Sequence, residues 1–250
     1  MIKLIDLWKS FGNNQVLKGL DLNIEEGETI VIIGQSGCGK SVLLKTVVRL
    51  LEPDRGEIEI EDISLRNISK HELYEIRKKI GMVFQGSALF DSLNVWENVG
   101  LGLIEHSKMN RAEIRKIARE KLKLVGLINV DDKYPAELSG GMKKRVAIAR
   151  AIAMDPKFVF YDEPTTGLDP IIADRINDLI IELQKKLKIT TVAVTHDMIS
   201  AYKIANRIAM LYNGRIIFDG TPNEVQNTDN SYVQQFINGK GKGPISGGNV

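Results

Sequence analysis

The sequence predicts an α/β protein: a phosphate-loop core of parallel strands, an antiparallel β subdomain near the start and an inserted α-helical subdomain in the middle. Three observations carry that prediction. The apolar run Thr29-Ile30-Val31-Ile32-Ile33 leads straight into Gly34-Gln35-Ser36-Gly37-Cys38-Gly39-Lys40-Ser41, and a helical segment, Val42 to Leu51, follows. Later strand-like runs, Phe158 to Tyr161 and Thr190 to Thr195, alternate with helical stretches around Ile171 to Leu187 and Met198 to Asn206, as a helix-covered parallel sheet requires. Between about Asn94 and Ala153, helical periodicity replaces every strand signal.

In chain order, alternation in Ile2 to Trp8 and in Val16 to Ile24 predicts two antiparallel strands, and Gly27-Glu28 turns the chain into the buried strand before the loop. A third β segment runs from Gly56 to Ile60, a short helix from His71 to Lys79, and a core strand from Ile80 to Phe84, ending at Gln85. In the middle region Ile114, Ile117, Ala118, Leu122 and Val125 form one face of a charged helix that stops near Gly126. Trp96 and Phe90 read either as core or as part of a groove for another protein. The main domain is expected over residues 1–237, with the helical subdomain at about 94–153. Residues 238–250, Gly-rich with Pro244, are expected to be extended or disordered unless a partner orders them.

Composition excludes several classes. The 34 Lys and Arg nearly balance the 32 Asp and Glu, so overall charge points to no nucleic-acid partner. Lys143-Lys144-Arg145 reads as a solvated helix face. A lone cysteine, Cys38, allows no disulfide within the chain and fits a reducing compartment. No apolar stretch approaches the roughly 20 residues of a spanning helix, and Met1-Ile2-Lys3-Leu4 opens an amphipathic strand rather than a signal peptide, so the chain is expected to be cytosolic.

The segment Gly34 to Ser41 matches the phosphate-binding loop pattern at every fixed position, in the strand-turn-helix setting the chemistry needs. Backbone N–H groups of Gly34, Gln35, Ser36, Gly37, Cys38 and Gly39 can point at phosphate oxygens, and the dipole of the helix entered through Ser41 and Val42 favours the same anion. Lys40 supplies charge to the outer phosphates and Ser41 a hydroxyl to Mg²⁺. A nucleoside triphosphate is the implied ligand. Cys38 is most simply a small space-filler, although the helix dipole and Lys40 can activate a thiol there. Phe158-Val159-Phe160-Tyr161-Asp162-Glu163 is a buried strand ending in two carboxylates. Asp162 can hold hydrated Mg²⁺, and Glu163, one residue beyond, can polarise a water as general base.

With these residues in place the chain resembles the ATP-binding subunits of ABC transporters over nearly its whole length. Leu138-Ser139-Gly140-Gly141-Met142 looks like the signature motif, Gln85 the Q-loop glutamine, Thr166-Gly167-Leu168-Asp169 the D-loop and His196 the switch histidine. Phe11 stands where the family's aromatic stacks on adenine, with Val16 among the nucleotide contacts. Met142 departs from the usual final glutamine. The resemblance implies an α/β P-loop ATPase core with ATP and Mg²⁺ as cofactors, catalytic roles for Glu163, His196 and Gln85, and a metal set of Ser41, Gln85 and Asp162. It also implies a place for Asp169 among the nucleotide contacts and a homodimer in which Ser139, Gly140 and Gly141 of one subunit close over ATP held by Lys40 and Ser41 of the other, together with integral membrane permease subunits.

Residues Phe84 to Val99, Glu105-His106, Met142 and the tail from Val233 resemble the ATPases of MCE-associated, Mla-type phospholipid transporters of bacteria. That implies an MCE-domain substrate-binding protein and a small accessory protein as partners, at the cytoplasmic face of the inner membrane. An importer ATPase for amino acids or another small solute is the alternative. A soluble ABC ATPase acting on DNA or ribosomes is disfavoured, because the sequence has no long coiled-coil insertion, no zinc cysteine set and no second cassette.

Overall fold

The computed structural model describes residues 1–245, in two compact units: residues 1–68 together with those from 193 onward, and residues 69–192. In the first unit, β1 (Ile2–Phe11), β2 (Asn14–Ile24), β4 (Arg55–Ile60) and β5 (Ile63–Ser64) form an antiparallel sheet in the order β2-β1-β4-β5. Its apolar residues pair in register, Ile2 with both Ile24 and Ile60, and Leu4 with both Leu22 and Ile58. The alternation does not persist, because Leu4 and Leu7 are both buried although they are three residues apart. A bulge at Asp6, φ 45°, changes the inward parity. Gly56 lies opposite, where a Cβ would stand 2.2 Å from the Asp6 carbonyl oxygen.

The same unit holds β3 (Thr29–Ile33), buried throughout, and α1 (Lys40–Val47) directly after the phosphate loop. β3 pairs in parallel with β9 (Arg207–Tyr212), which turns into β10 (Arg215–Gly220) through Asn213-Gly214, both at positive φ. Sheet order here is β10-β9-β3 and then β8 (Thr190–Thr195), the strand in which the division between units falls. Helices α7 (Met198–Ile204), α8 (Pro222–Asn227) and α9 (Ser231–Ile237) complete it. After α9 the chain folds back on itself. The Gln235 amide donates to the carbonyls of Lys240 (3.1 Å) and Ile245 (3.2 Å), its oxygen accepts from Ile245 N–H at 2.7 Å, and Ile245 is buried. The expectation that this tail is extended or disordered without a partner is therefore corrected for residues up to 245. A buried glutamine supplies the backbone partners that Gly-rich composition alone does not reveal. The remainder of that expectation, residues 246–250, lies outside the described residues.

The second unit contains α2 (Lys70–Lys78), then β6 (Ile80–Val83) parallel to β7 (Phe158–Asp162), with β8 next to β7. Between β6 and β7 come α3 (Val95–His106), α4 (Arg111–Leu124) and α5 (Gly140–Ala151), and α6 (Pro170–Leu187) follows β7. Capping boxes at Ser69/Glu72, Asn94/Glu97 and Asn110/Glu113 set the starts of α2, α3 and α4. On α4, Ile114, Ala118 and Leu122 are buried, as is Val125 at its end, with Ile117 half-buried, so the predicted apolar face packs inward. Trp96 is buried under the guanidinium groups of Arg111 and Arg115, 5.2 and 5.9 Å from its ring, while Phe90 is exposed.

Lys143-Lys144-Arg145 is not a solvated face. Lys144 is only 2% exposed, Lys143 and Arg145 are half-buried, and Arg145 donates to the Val125 carbonyl at 2.7 Å. Three consecutive charges say nothing of which helix face is covered, and here α5 is flanked on more than one side.

Candidate functional site

The phosphate loop of the first unit is shaped by what a side chain would strike. At Gly34, φ 156°, a Cβ would lie 2.5 Å from the Leu211 carbonyl oxygen and 2.8 Å from Cys38 Sγ; at Gly39, φ 107°, it would lie 2.7 Å from Val16 Cγ1. Val16 of β2 is thus packed against the loop, and half-buried Cys38 fills the space beside Gly34. Lys40 is buried, and its ammonium donates to the carbonyls of Gly34 (2.8 Å) and Gln35 (3.0 Å), which arches the loop over it. Among the α-helices of the described residues α1 alone has no side-chain cap at its N-terminus, where Gly39 stands, and its first turn carries no acidic residue.

That arrangement fits a phosphate. A buried cation, a glycine loop and a helix start without a competing carboxylate form an anion cradle, with Gln35, Ser36, Gly37, Ser41 and Val42 in the same turn and helix start. Also in this unit, Phe11 is exposed at the end of β1 with the Lys9 ammonium 5.5 Å from its ring centre. His196 is exposed directly after β8, and Asp197 behind it caps α7 by accepting from Ile199 and Ser200 N–H.

In the second unit, β7 ends in Asp162 and Glu163 follows it, 4% and 7% exposed. Glu163 takes φ 49°, a left-handed backbone for a non-glycine residue, and its Oε2 accepts from the Thr166 hydroxyl at 3.0 Å. Burial pushes the neighbouring Tyr161 phenol up, so it stays neutral. Gln85 follows β6, and its carbonyl accepts from the Lys144 ammonium at 2.7 Å. Burial pushes Lys144 down to about 8, against the pull of Asp162 and Glu163. Lys144 therefore joins Gln85 and the two carboxylates in one polar cluster. Sequence reading missed it, because Lys144 stands between Lys143 and Arg145 and no local signal sets it apart from them.

Ser139 caps α5 by accepting from Met142 N–H at 3.3 Å, and Ser139 and Gly140 are exposed. Gly141 is required by packing, since a Cβ would approach Ile172 Cγ2 to 2.8 Å, which brings the signature turn beside α6. Asp169, exposed, caps α6 by accepting from Ile171 and Ile172 N–H. Among the described residues no group of three or more His, Cys, Asp or Glu is placed to hold a metal ion, and no helix is long and apolar enough to cross a membrane.

The family described as ABC transporter matches residues 17–166. The chain is 40% identical over 244 residues, 98% of its length and 70% of the relative's, to the probable ribonucleotide transport ATP-binding protein mkl of Mycobacterium leprae. It is 37% identical over 245 residues, 98% of its length and 93% of the relative's, to the intermembrane phospholipid transport system ATP-binding protein MlaF of Haemophilus influenzae. The dimeric, post-hydrolysis structure of the ATP-binding cassette MJ0796 bound to ADP and Pi superposes with a TM-score of 0.81 at 38% identity, covering 89% of this chain and 99% of that one. Phosphate loop, signature turn and paired carboxylates thus lie in a chain that belongs to the ABC transporter family, as an ATP-binding cassette that hydrolyses ATP to drive transport.

Proposed function

We propose that this cassette powers a phospholipid transporter. The observation that carries the reading is the match to the phospholipid transport ATPase, which takes in nearly the whole of both chains. Cassettes of this family dimerise and pair with membrane permease subunits. For this chain the reading is a homodimer on the cytoplasmic face of a bacterial inner membrane, with an MCE-domain protein and a small accessory protein as further partners.

Within it, Lys40 neutralises the outer phosphates, Phe11 stacks on adenine, and the loop with Val16 cradles the chain of phosphates. Ser41, Asp162 and Gln85 would hold Mg²⁺. Asp162, 4% exposed at the end of β7, is the one carboxylate of that set, and phosphate oxygens of the nucleotide would complete it. When bound, the ion would supply charge neutralisation to the phosphates. Glu163 orients and deprotonates the attacking water, and His196 contacts the γ-phosphate. Ser139, Gly140 and Gly141 present an exposed helix start to the partner's nucleotide, with Asp169 close to that exchange.

The test is to purify the detergent-solubilised complex with its companion subunits and identify bound lipid by mass spectrometry, then measure ATP hydrolysis after reconstitution. Co-purified phospholipid and lipid-dependent turnover support the reading. Turnover stimulated only by an amino acid or other small solute, with no bound lipid, replaces it with the importer alternative, for which the ribonucleotide transport relative speaks.

A further inference from the structure

The loop after β6 is held from one side by two cations of the same helix. Lys144 donates to the carbonyls of Gln85 (2.7 Å) and Phe84 (3.5 Å); Arg150 donates to those of Ser87 (2.7 Å) and Ala88 (2.6 Å). Four successive or near-successive backbone acceptors are thus bound to α5, the helix that begins with Gly140-Gly141. Ser87 and Ala88 both take positive φ, 64° and 47°, a conformation that is costly for a non-glycine residue and persists only where neighbours over-determine it. The Arg150 guanidinium grips the carbonyls of those same two residues.

Packing alone does not explain Lys144. A buried ammonium is more costly than a methionine of similar length unless its hydrogen bonds and charge are used, and here both are: two carbonyls accept from it, and Asp162 and Glu163 attract it. Helix, loop and carboxylate pair therefore share one charge-assisted junction.

We propose that Lys144 and Arg150 are positioning residues for ATP hydrolysis, strapping the Phe84–Ala88 loop to α5 so that Gln85 and the signature turn at Ser139 move as one piece. The proposal rests on the reading of Gln85 given above. Its consequence is kinetic: releasing the strap leaves nucleotide affinity in place but lets Gln85 wander from its working position, so kcat falls while KM holds.

The experiment uses the full-length dimer and two readouts, steady-state kinetics and amide hydrogen exchange of the peptide spanning residues 84–90. Lys144→Met is expected to lower kcat about tenfold with KM for ATP within about twofold, and to speed exchange of that peptide about tenfold while β7 stays protected. Lys144→Gln, which keeps a donor without the charge, is expected to recover most of the protection. If Lys144→Met does not fold, Arg150→Gln carries the same expectation for the Ser87 and Ala88 amides.

Unchanged exchange at 84–90, or exchange raised evenly over residues 69–192, overturns the strap. Faster local exchange with wild-type kcat overturns its role in turnover. Gln85→Ala, measured alongside, separates this from the reading beneath it. Full turnover in Gln85→Ala removes Gln85 from the reaction, whereas slow Gln85→Ala beside wild-type Lys144→Met leaves Gln85 in place and overturns the strap alone.

Discussion

The Thr166 hydroxyl donates to Glu163 Oε2 at 3.0 Å across a turn whose first residue, Glu163 itself, has a left-handed backbone at φ 49°. A carboxylate held by a strained backbone and a side-chain donor is fixed in direction, as a general base must be. Glu163→Gln preserves the shape and the hydrogen bond but not the basicity. Turnover is expected to fall about 100-fold or more with ATP binding retained, read by steady-state hydrolysis and nucleotide titration. Wild-type rates in this variant would remove Glu163 from the role.

Lys40→Ala acts on the other unit and in the other way. The buried ammonium that donates to the Gly34 and Gln35 carbonyls is lost, so ATP affinity is expected to drop by about tenfold or more, measured by calorimetry. Retained affinity with lost turnover would reassign Lys40 to the chemical step.

Asn98 is a stability prediction. It is fully buried, donates to the carbonyls of Phe90 (3.0 Å), Leu93 (2.9 Å) and Asn94 (3.0 Å), and accepts from Phe90 N–H at 2.8 Å. Asn98→Leu orphans these backbone groups and is expected to cost about 2–4 kcal/mol in urea unfolding. Asn98→Asp is expected to cost more, since it turns a negative charge on three carbonyl oxygens. An effect within experimental error would mean water takes over these bonds.

Asp131 gives a pH dependence. Burial raises its carboxyl, but hydrogen bonds from Arg115 (2.7 Å) and Arg119 (2.8 Å) outweigh burial and hold it below the ordinary 3.8. A carboxyl depressed in the folded state adds stability above its unfolded value and loses it as pH falls through its folded value. Asp131→Asn should therefore lower the unfolding midpoint at pH 7, and the gap from wild type should close as pH drops below 3.8. A gap independent of pH would assign the loss to packing rather than charge.

The Gln235 clamp predicts a local effect. Gln235→Ala releases Ile245 and should expose residues 238–245 to limited proteolysis, with ATP hydrolysis by the isolated chain unchanged. Continued resistance to protease would show that burial of Ile245 alone secures the segment.

Strand-turn-helix logic made the phosphate loop, the carboxylate strand and most core elements legible, because glycine spacing and apolar runs are local signals. What escaped was non-local. The β9–β10 hairpin carries an Asn213-Gly214 turn that could have been read, yet the pairing of β9 with β3 joins residues far apart in sequence. The parity change at Asp6 depends on Gly56 opposite it, and burial of Lys144 on partners distant along the chain. For the site, residue identities and the space-filling role of Cys38 were readable from motifs; that Glu163 is strained and Ser139 exposed was not.

Gly39 brings no side-chain oxygen to the start of α1, whereas each of the eight other α-helices of the described residues caps its first turn with a side chain. A cap is worth about 1 kcal/mol, and in the nucleotide site proposed above a phosphate oxygen from solution takes its place. The nucleotide thereby becomes a structural residue supplied from outside the gene. At a ligand concentration 100 times Kd, mass action adds about 2.7 kcal/mol to folding. How durable this protein is in a cell is then set partly by the cell's energy charge, and its resistance to heat and protease should track free ATP as faithfully as its turnover does.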